Sequence, residues 1–363
     1  MYVNNGKISS RQTFRLYVFD LLGIATLLLP PYLARMCGVG GIYAIVLGTV
    51  AGFVYLLYLG WIMKQMGTDM VNYLESQVHP WIGRSICVFI MIHSVLTAGF
   101  CAYVFANLMQ YSLVQETSYI AIMVLIVIVA AYAVSGGIES RARVYEVLFW
   151  FVLIPYFLMM LASIREFEFV YITPLPDITD VSLLKGAYLV FLLLTPLFFC
   201  LFLIGEKEKN YGRNIIKTIA MAVLFTGSIL LASYVILLGN FGVESLKQLR
   251  FPVVTLMSTI QFEGNFLRRM DALMLAVWFF TLYALLNLHL HYGVRMLADL
   301  TSKDKGKRKG WHVVLPTWIV FITAYVMHKN SDLQQMFLQY YSYVAVPFIV
   351  VVPGFLLMIR RRK

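Results

Sequence analysis

The polar side chains with the means to do chemistry in this sequence sit inside apolar runs. Asp20 interrupts the first run, His93 and Asn107 lie in the third, and Tyr283, Asn287 and His289 lie in the eighth. No phosphate-binding glycine loop, Ser-His-Asp set or metal-ligand spacing accompanies them. These residue types point to recognition of a ligand or an ion inside a membrane, and no enzyme activity, cofactor or metal is expected. The four cysteines, Cys37, Cys87, Cys101 and Cys200, show no paired spacing, so neither a disulfide framework nor a metal site is expected. An aspartate at a membrane-helix centre costs roughly 2.5 to 3.5 kcal/mol on insertion scales, so Asp20 needs a partner or a shallow position. Arg15 and Lys7 are the nearby cations, and a coupling-ion or proton site is the sharper alternative. Glu146 and Asp271 fall near helix ends, where pairing with Arg143 and Arg268 is expected.

Two stretches of backbone are candidates for the site itself. The first run reads LLGIATLLLPP, with Gly23, Ile24, Ala25 and Thr26 at mid-span and Pro30 and Pro31 after them. Such a segment can unwind, and unpaired backbone groups at membrane depth are tolerated only where protein or a polar cavity satisfies them. Close packing of a small-residue face against a neighbouring helix is the competing account. The sixth run carries Leu194, Thr195, Pro196 and Leu197 near its centre. Proline there removes an intrahelical hydrogen bond and frees the carbonyl of Leu192, so a kink is expected. The two breaks lie five helices apart, the spacing produced by two five-helix repeats. His93, Tyr283 and Asn287 are the side chains expected to join them in a ligand site.

The elements that must position these groups are long apolar helices. Of 363 residues, 61% are hydrophobic and 13% charged, against about 25% charged in an average soluble domain. Apolar segments run over residues 12–36, 41–63, 85–111, 119–134, 144–162, 184–203, 215–238, 272–290, 311–328 and 341–359. Each approaches the roughly 20 residues that cross about 30 Å of hydrocarbon, so ten transmembrane helices are expected in a single polytopic domain over residues 1–363. The inverted repeats would cover about 12–163 and 184–328, with helix 10 at 341–359. Period-2 alternation is absent, which disfavours a barrel. Lys7, Arg11 and Arg15 ahead of the first run imitate a secretory signal, but Asp20 interrupts the run and no small-residue cleavage site follows, so it reads as a retained helix.

Ten spans put 21 of the 29 Lys and Arg residues on the side that holds both termini, which the positive-inside rule makes the cytoplasm. The net charge of +11 is therefore read as orientation, not nucleic-acid binding. Two outward loops are long: residues 165–182, and residues 239–269, where an interfacial or re-entrant helix is expected. The basic run SKDKGKRKG at 302–310 reads as a solvated loop near anionic lipid.

Several blocks resemble the B-subunit (GerAB) family of spore germination permeases, within the amino acid-polyamine-organocation superfamily. They are KISSRQTF and LLGIATLLLP at helix 1, GGIESRARVYEVLF leading into helix 5, and TPLPDITDVSLLKGAY before helix 6. The most specific is FPVVTLMSTIQFEGNFLRRMDALMLAVWFF at 251–280. The resemblance covers nearly the whole chain. It implies two inverted five-helix repeats with broken helices 1 and 6, and a subunit that assembles with A- and C-type partners in the spore inner membrane and senses a small nutrient such as an amino acid. Ala25 stands where that family commonly has a second glycine, and Pro196 and Phe198 stand where a small residue and an acid are common. An uncharged ligand is thereby brought into view. An independent amino-acid or cation symporter and a non-binding scaffold subunit are the other readings compatible with the fold.

Overall fold

The structure, a computed structural model, describes residues 8–112, 116–173, 181–203, 215–259, 270–302 and 309–358. All regular structure among these residues is helical. The first apolar run is split into α1 (Ser10–Leu22) and α2 (Ala25–Cys37). Ser9 caps α1 through a capping box with Gln12, which satisfies two of the amides a helix start leaves open. Then follow α3 (Gly41–Met66), the short α4 (Met70–Gln77), α5 (Pro80–Ser112), α6 (Tyr119–Ser135) and α7 (Gly137–Ala162). The sixth run is α8 (Val181–Leu193), continued by a 3-10 helix over Thr195–Phe202. Beyond it lie α9 (Ile215–Gln248), α10 (Pro252–Thr259), α11 (Met270–Thr301), α12 (Gly310–Lys329), α13 (Ser331–Tyr340), a π-helical turn (Tyr341–Ala345) and α14 (Val346–Met358).

Seven helical stretches among the described residues are long and apolar enough to cross a membrane. The chain is an integral membrane protein. Exposed Leu125, Ile128, Val147, Phe355 and Met358 suit an apolar solvent. Both expected breaks are present. Helix 1 is interrupted at Gly23 and Ile24, and helix 6 changes from α to 3-10 geometry at Leu194. The long loop holds a short helix, α10.

Small residues let neighbouring helices approach closely. α3 packs against α8 and α9, where Gly48 meets Val190 and Ala187, Gly52 meets Leu194 and Gly227 meets Thr49. α5 packs along α11, with Gly99 against Thr323 of α12 and Gly293 against Val95. Close backbone approach of this kind replaces the hydrophobic drive that lipid cannot supply.

Several helix ends differ from the sequence reading. Helix 5 begins at Gly137, seven residues before the expected Val144, so Glu139, Arg141 and Arg143 lie on the helix. α9 runs ten residues past Leu238, turning at Gly242, whose φ of 66° is accessible to glycine. Helix 10 begins at Ser331, ten residues early, because Asn330 caps α13 directly after α12.

Candidate functional site

A largely apolar cavity of about 360 Å³ lies between the two helix breaks. One wall is α1 and α2, from Asp20 and Leu21 through Ile24 and Ala25 to Leu28 and Tyr32. Leu192, Leu193 and Pro196 of helix 6 face it, and Thr97, Phe100 and Cys101 of α5, Leu285 and His289 of α11, and Phe337 and Tyr341 of helix 10 complete it. A second cavity of about 200 Å³ shares Leu28, Tyr32, Phe100 and Leu338 with the first, and adds Arg35, Asn107 and Arg250. The exposure of Tyr32 and Leu338 brings this end to the surface. At the opposite end Arg295 of α11 pairs with Asp69, the N-cap of α4, at 2.9 Å and donates to the carbonyl of Phe202 at 3.2 Å.

The sequence-predicted residues divide between the cavity and its supports. Asp20, Ile24, Ala25 and Pro196 line it. Gly23 faces Leu285 instead: a Cβ added there would sit 2.9 Å from Leu285 Cβ, the packing account of this glycine. The Thr26 hydroxyl accepts from Trp278 Nε1 at 3.3 Å, tying α2 to α11. Leu194, Thr195 and Leu197 are buried at the helix 6 break, outside the cavity lining. His93 also lies behind the lining, its ring centroid 5.9 Å from that of His289 and 5.5 Å from that of Tyr341. Tyr283 and Asn287 are buried on α11, joined by a long Nδ2 to hydroxyl contact of 3.5 Å.

The carbonyl freed by Pro196 is taken up locally. Leu192 O accepts from the Thr195 hydroxyl at 2.7 Å and from the Tyr341 hydroxyl at 3.3 Å, so helix 10 closes over the break in helix 6. Both donors are protein groups, one buried and one half-buried, so the freed carbonyl is not left unpaired.

Asp20 is not partnered by Arg15. Its carboxylate pairs with Arg141 of α7, and the two side chains are 1% and 2% exposed. Arg141 also donates from Nη2 to Ala284 O at 3.3 Å and from Nε to the Tyr145 hydroxyl at 3.3 Å. One guanidinium thus ties helix 1 to α7 and α11 immediately before the break. Arg15 goes instead to Glu146, donating to its carbonyl at 3.1 Å and approaching its carboxylate at 3.6 Å, where Arg11 and Gln12 also bind. The expected Glu146–Arg143 pair is replaced by Arg143 with Glu139, one turn apart on the helix that the sequence reading began too late. Lys7 and Arg268 lie outside the described residues.

The sequence reading missed Arg141, Tyr341 and His289 as site groups. Arg141 was counted as a loop charge and Tyr341 as the first residue of helix 10. The sequence marks His289 only as a polar group of helix 8, and the structure places it on the cavity wall.

Comparison with known proteins places this arrangement. The sequence model of a family described as "Spore germination protein" matches residues 7–333. Spore germination protein B2 of Bacillus subtilis (strain 168) is 23% identical over 95% of this chain and 92% of its own length. Spore germination protein A2 of the same organism is 21% identical over 98% and 97%. Among solved structures, a Na+-coupled sialic acid symporter in a substrate-bound outward-open state superposes with a TM-score of 0.68, at 12% identity, over 98% of this chain and 78% of that one. That likeness establishes the transporter fold.

Proposed function

We propose, for a chain that belongs to the spore germination protein family, that it is the transporter-like subunit of a nutrient germinant receptor in which the cavity between the broken helices binds a small nutrient. The observation that carries this reading is the coincidence of the cavity with both breaks. Ile24 and Ala25 contribute from one, and Leu192, Leu193 and Pro196 from the other. Backbone irregularity at membrane depth is placed where a cavity or protein can satisfy it, and a cavity of this size sits at the low end of the roughly 300–1,000 Å³ typical of small-ligand sites.

In this reading the protein has ten spans, both termini are cytoplasmic, and it resides in the spore inner membrane with A- and C-type partner subunits. The nutrient, an amino acid or a molecule of similar size, enters past Tyr32 and Leu338 and stabilises one arrangement of helices 1, 6 and 10. The bound state is then transmitted to the partners. A ligand shifts such an equilibrium only by its differential affinity, so the change must occur where it touches both breaks.

The test is a germination dose-response in spores carrying Ala25→Leu beside the parent chain, with co-purification of the partner subunits. Ala25 lines the cavity and is 1% exposed, so leucine there fills ligand space. The expected result is a response shifted to at least tenfold higher nutrient with partners retained. An unchanged dose-response at normal protein level would place the nutrient elsewhere.

A further inference from the structure

The one carboxylate of this cavity wall and the carbonyls beside the breaks that Arg141, Thr195 and Tyr341 reach are already engaged by protein donors. The Asp20 carboxylate is held by Arg141. Leu192 O takes the Thr195 and Tyr341 hydroxyls, and Ala284 O takes Arg141 and, at 3.5 Å, the Tyr145 hydroxyl. The positive charge of Arg141 is matched by Asp20 in the same way, so the wall presents no unmatched fixed charge to a ligand.

One buried wall group stands apart. His289 is 2% exposed, lines the cavity, and has no hydrogen-bond partner at either ring nitrogen among the described residues. An imidazole always carries at least one N–H, and a neutral ring offers one donor and one acceptor. A buried polar group left unpaired costs about 1–3 kcal/mol. Its ring is held by packing, edge-to-face against Phe199 at 5.4 Å and against His93 at 5.9 Å, so it is a fixed group in a largely apolar wall.

We propose that His289 is the group that reads the ligand, and that the ligand is a small uncharged molecule with an apolar body and one hydrogen-bonding head, a hydroxyl or a primary amide. The inference rests on the proposed nutrient-binding cavity and narrows what that cavity accepts. A hydroxyl or amide serves the imidazole as donor or acceptor and needs no counter-ion. The leucine and phenylalanine lining covers the body. A zwitterion of equal size would bring an ammonium group to a wall whose one carboxylate is already paired with Arg141.

The experiment uses the full-length chain, purified in detergent, and five probes sharing one branched body: 3-methylbutanol, 3-methylbutanamide, 3-methylbutanoate, 3-methylbutylamine and leucine. Binding is read by calorimetric titration or by ligand-dependent thermal stabilisation. The alcohol and amide are expected to bind at least tenfold more tightly than the three charged probes. His289→Phe preserves ring volume but removes both nitrogens, and should lower alcohol and amide affinity tenfold or more. His289→Gln, which keeps a donor and an acceptor, should recover part of the loss and serves as the check should the phenylalanine variant not fold. Tighter binding of leucine than of the alcohol and amide, with His289→Phe unaltered, overturns the inference while leaving the cavity as the nutrient site. Binding of none of the five also overturns it, and the spore dose-response of Ala25→Leu then judges the broader reading separately.

Discussion

Removing the carboxylate of Asp20 tests whether the buried ion pair is what fixes the first half of helix 1. In Asp20→Leu the Arg141 guanidinium remains 2% exposed and loses its anion, keeping only Ala284 O at 3.3 Å and the Tyr145 hydroxyl at 3.3 Å. Taking one partner from a buried pair costs about 3–5 kcal/mol, because the other charge stays behind in low dielectric. Arg141→Met should cost less, since the buried Asp20 left behind can be neutralised by binding a proton, whereas a guanidinium left without its anion cannot lose its charge. Replacing both together removes both charges and leaves Tyr145 still within reach of Ala284 O, so the double variant should lose only about 1–3 kcal/mol. The measurement is a double-mutant cycle on unfolding free energy in mixed micelles. Cys87, Cys101 and Cys200, all free and buried, report unfolding through a thiol-reactive dye. A double variant whose loss equals the sum of the two singles would refute coupling, and an Asp20→Leu loss below about 1 kcal/mol would show that the pair is not desolvated as its burial indicates.

Thr195→Val removes the closer of the two donors to Leu192 O and should destabilise by about 1–3 kcal/mol in the same assay, while Thr195→Ser should be nearly silent. Gly23→Ala should destabilise through its clash with the Leu285 Cβ, and Leu285→Gly, which removes that atom, should cost less in the Gly23→Ala background than in the parent chain; failure of the second change to compensate would return Gly23 to a ligand role. Single cysteines in the 302–310 run and at either terminus should be labelled only from the cytoplasmic side, and one near Gln248 only from outside, by membrane-impermeant maleimide. External labelling of either terminus would overturn ten spans in this orientation.

Both breaks were legible because their causes are local. A glycine beside small residues, and a proline in an apolar run, act on the backbone within one turn, and the interruptions fall at Gly23–Ile24 and Leu194 accordingly. What the sequence could not show is which groups repair the damage. The Leu192 carbonyl is completed by Tyr341, 149 residues away, and Asp20 by Arg141, 121 residues away. No periodicity carries such information.

The misplaced start of helix 5 explains the wrong partner for Asp20. A hydropathy reading ends a span where charges begin, so it leaves Glu139, Arg141 and Arg143 in a loop and counts Arg141 toward orientation. The helix in fact continues back to Gly137, and of those three residues Glu139 and Arg141 are buried in the bundle. The basic asymmetry behind the expected orientation changes little, since Arg141 is one of the 21 residues counted. The chemistry changes more. With Arg15 as partner, Asp20 would answer to a cation on its own helix at the membrane surface and would move with it. With Arg141 as partner, it is tied across to α7 and to the Ala284 carbonyl of α11, so any movement of the first half of helix 1 must either break a desolvated pair or carry α7 along.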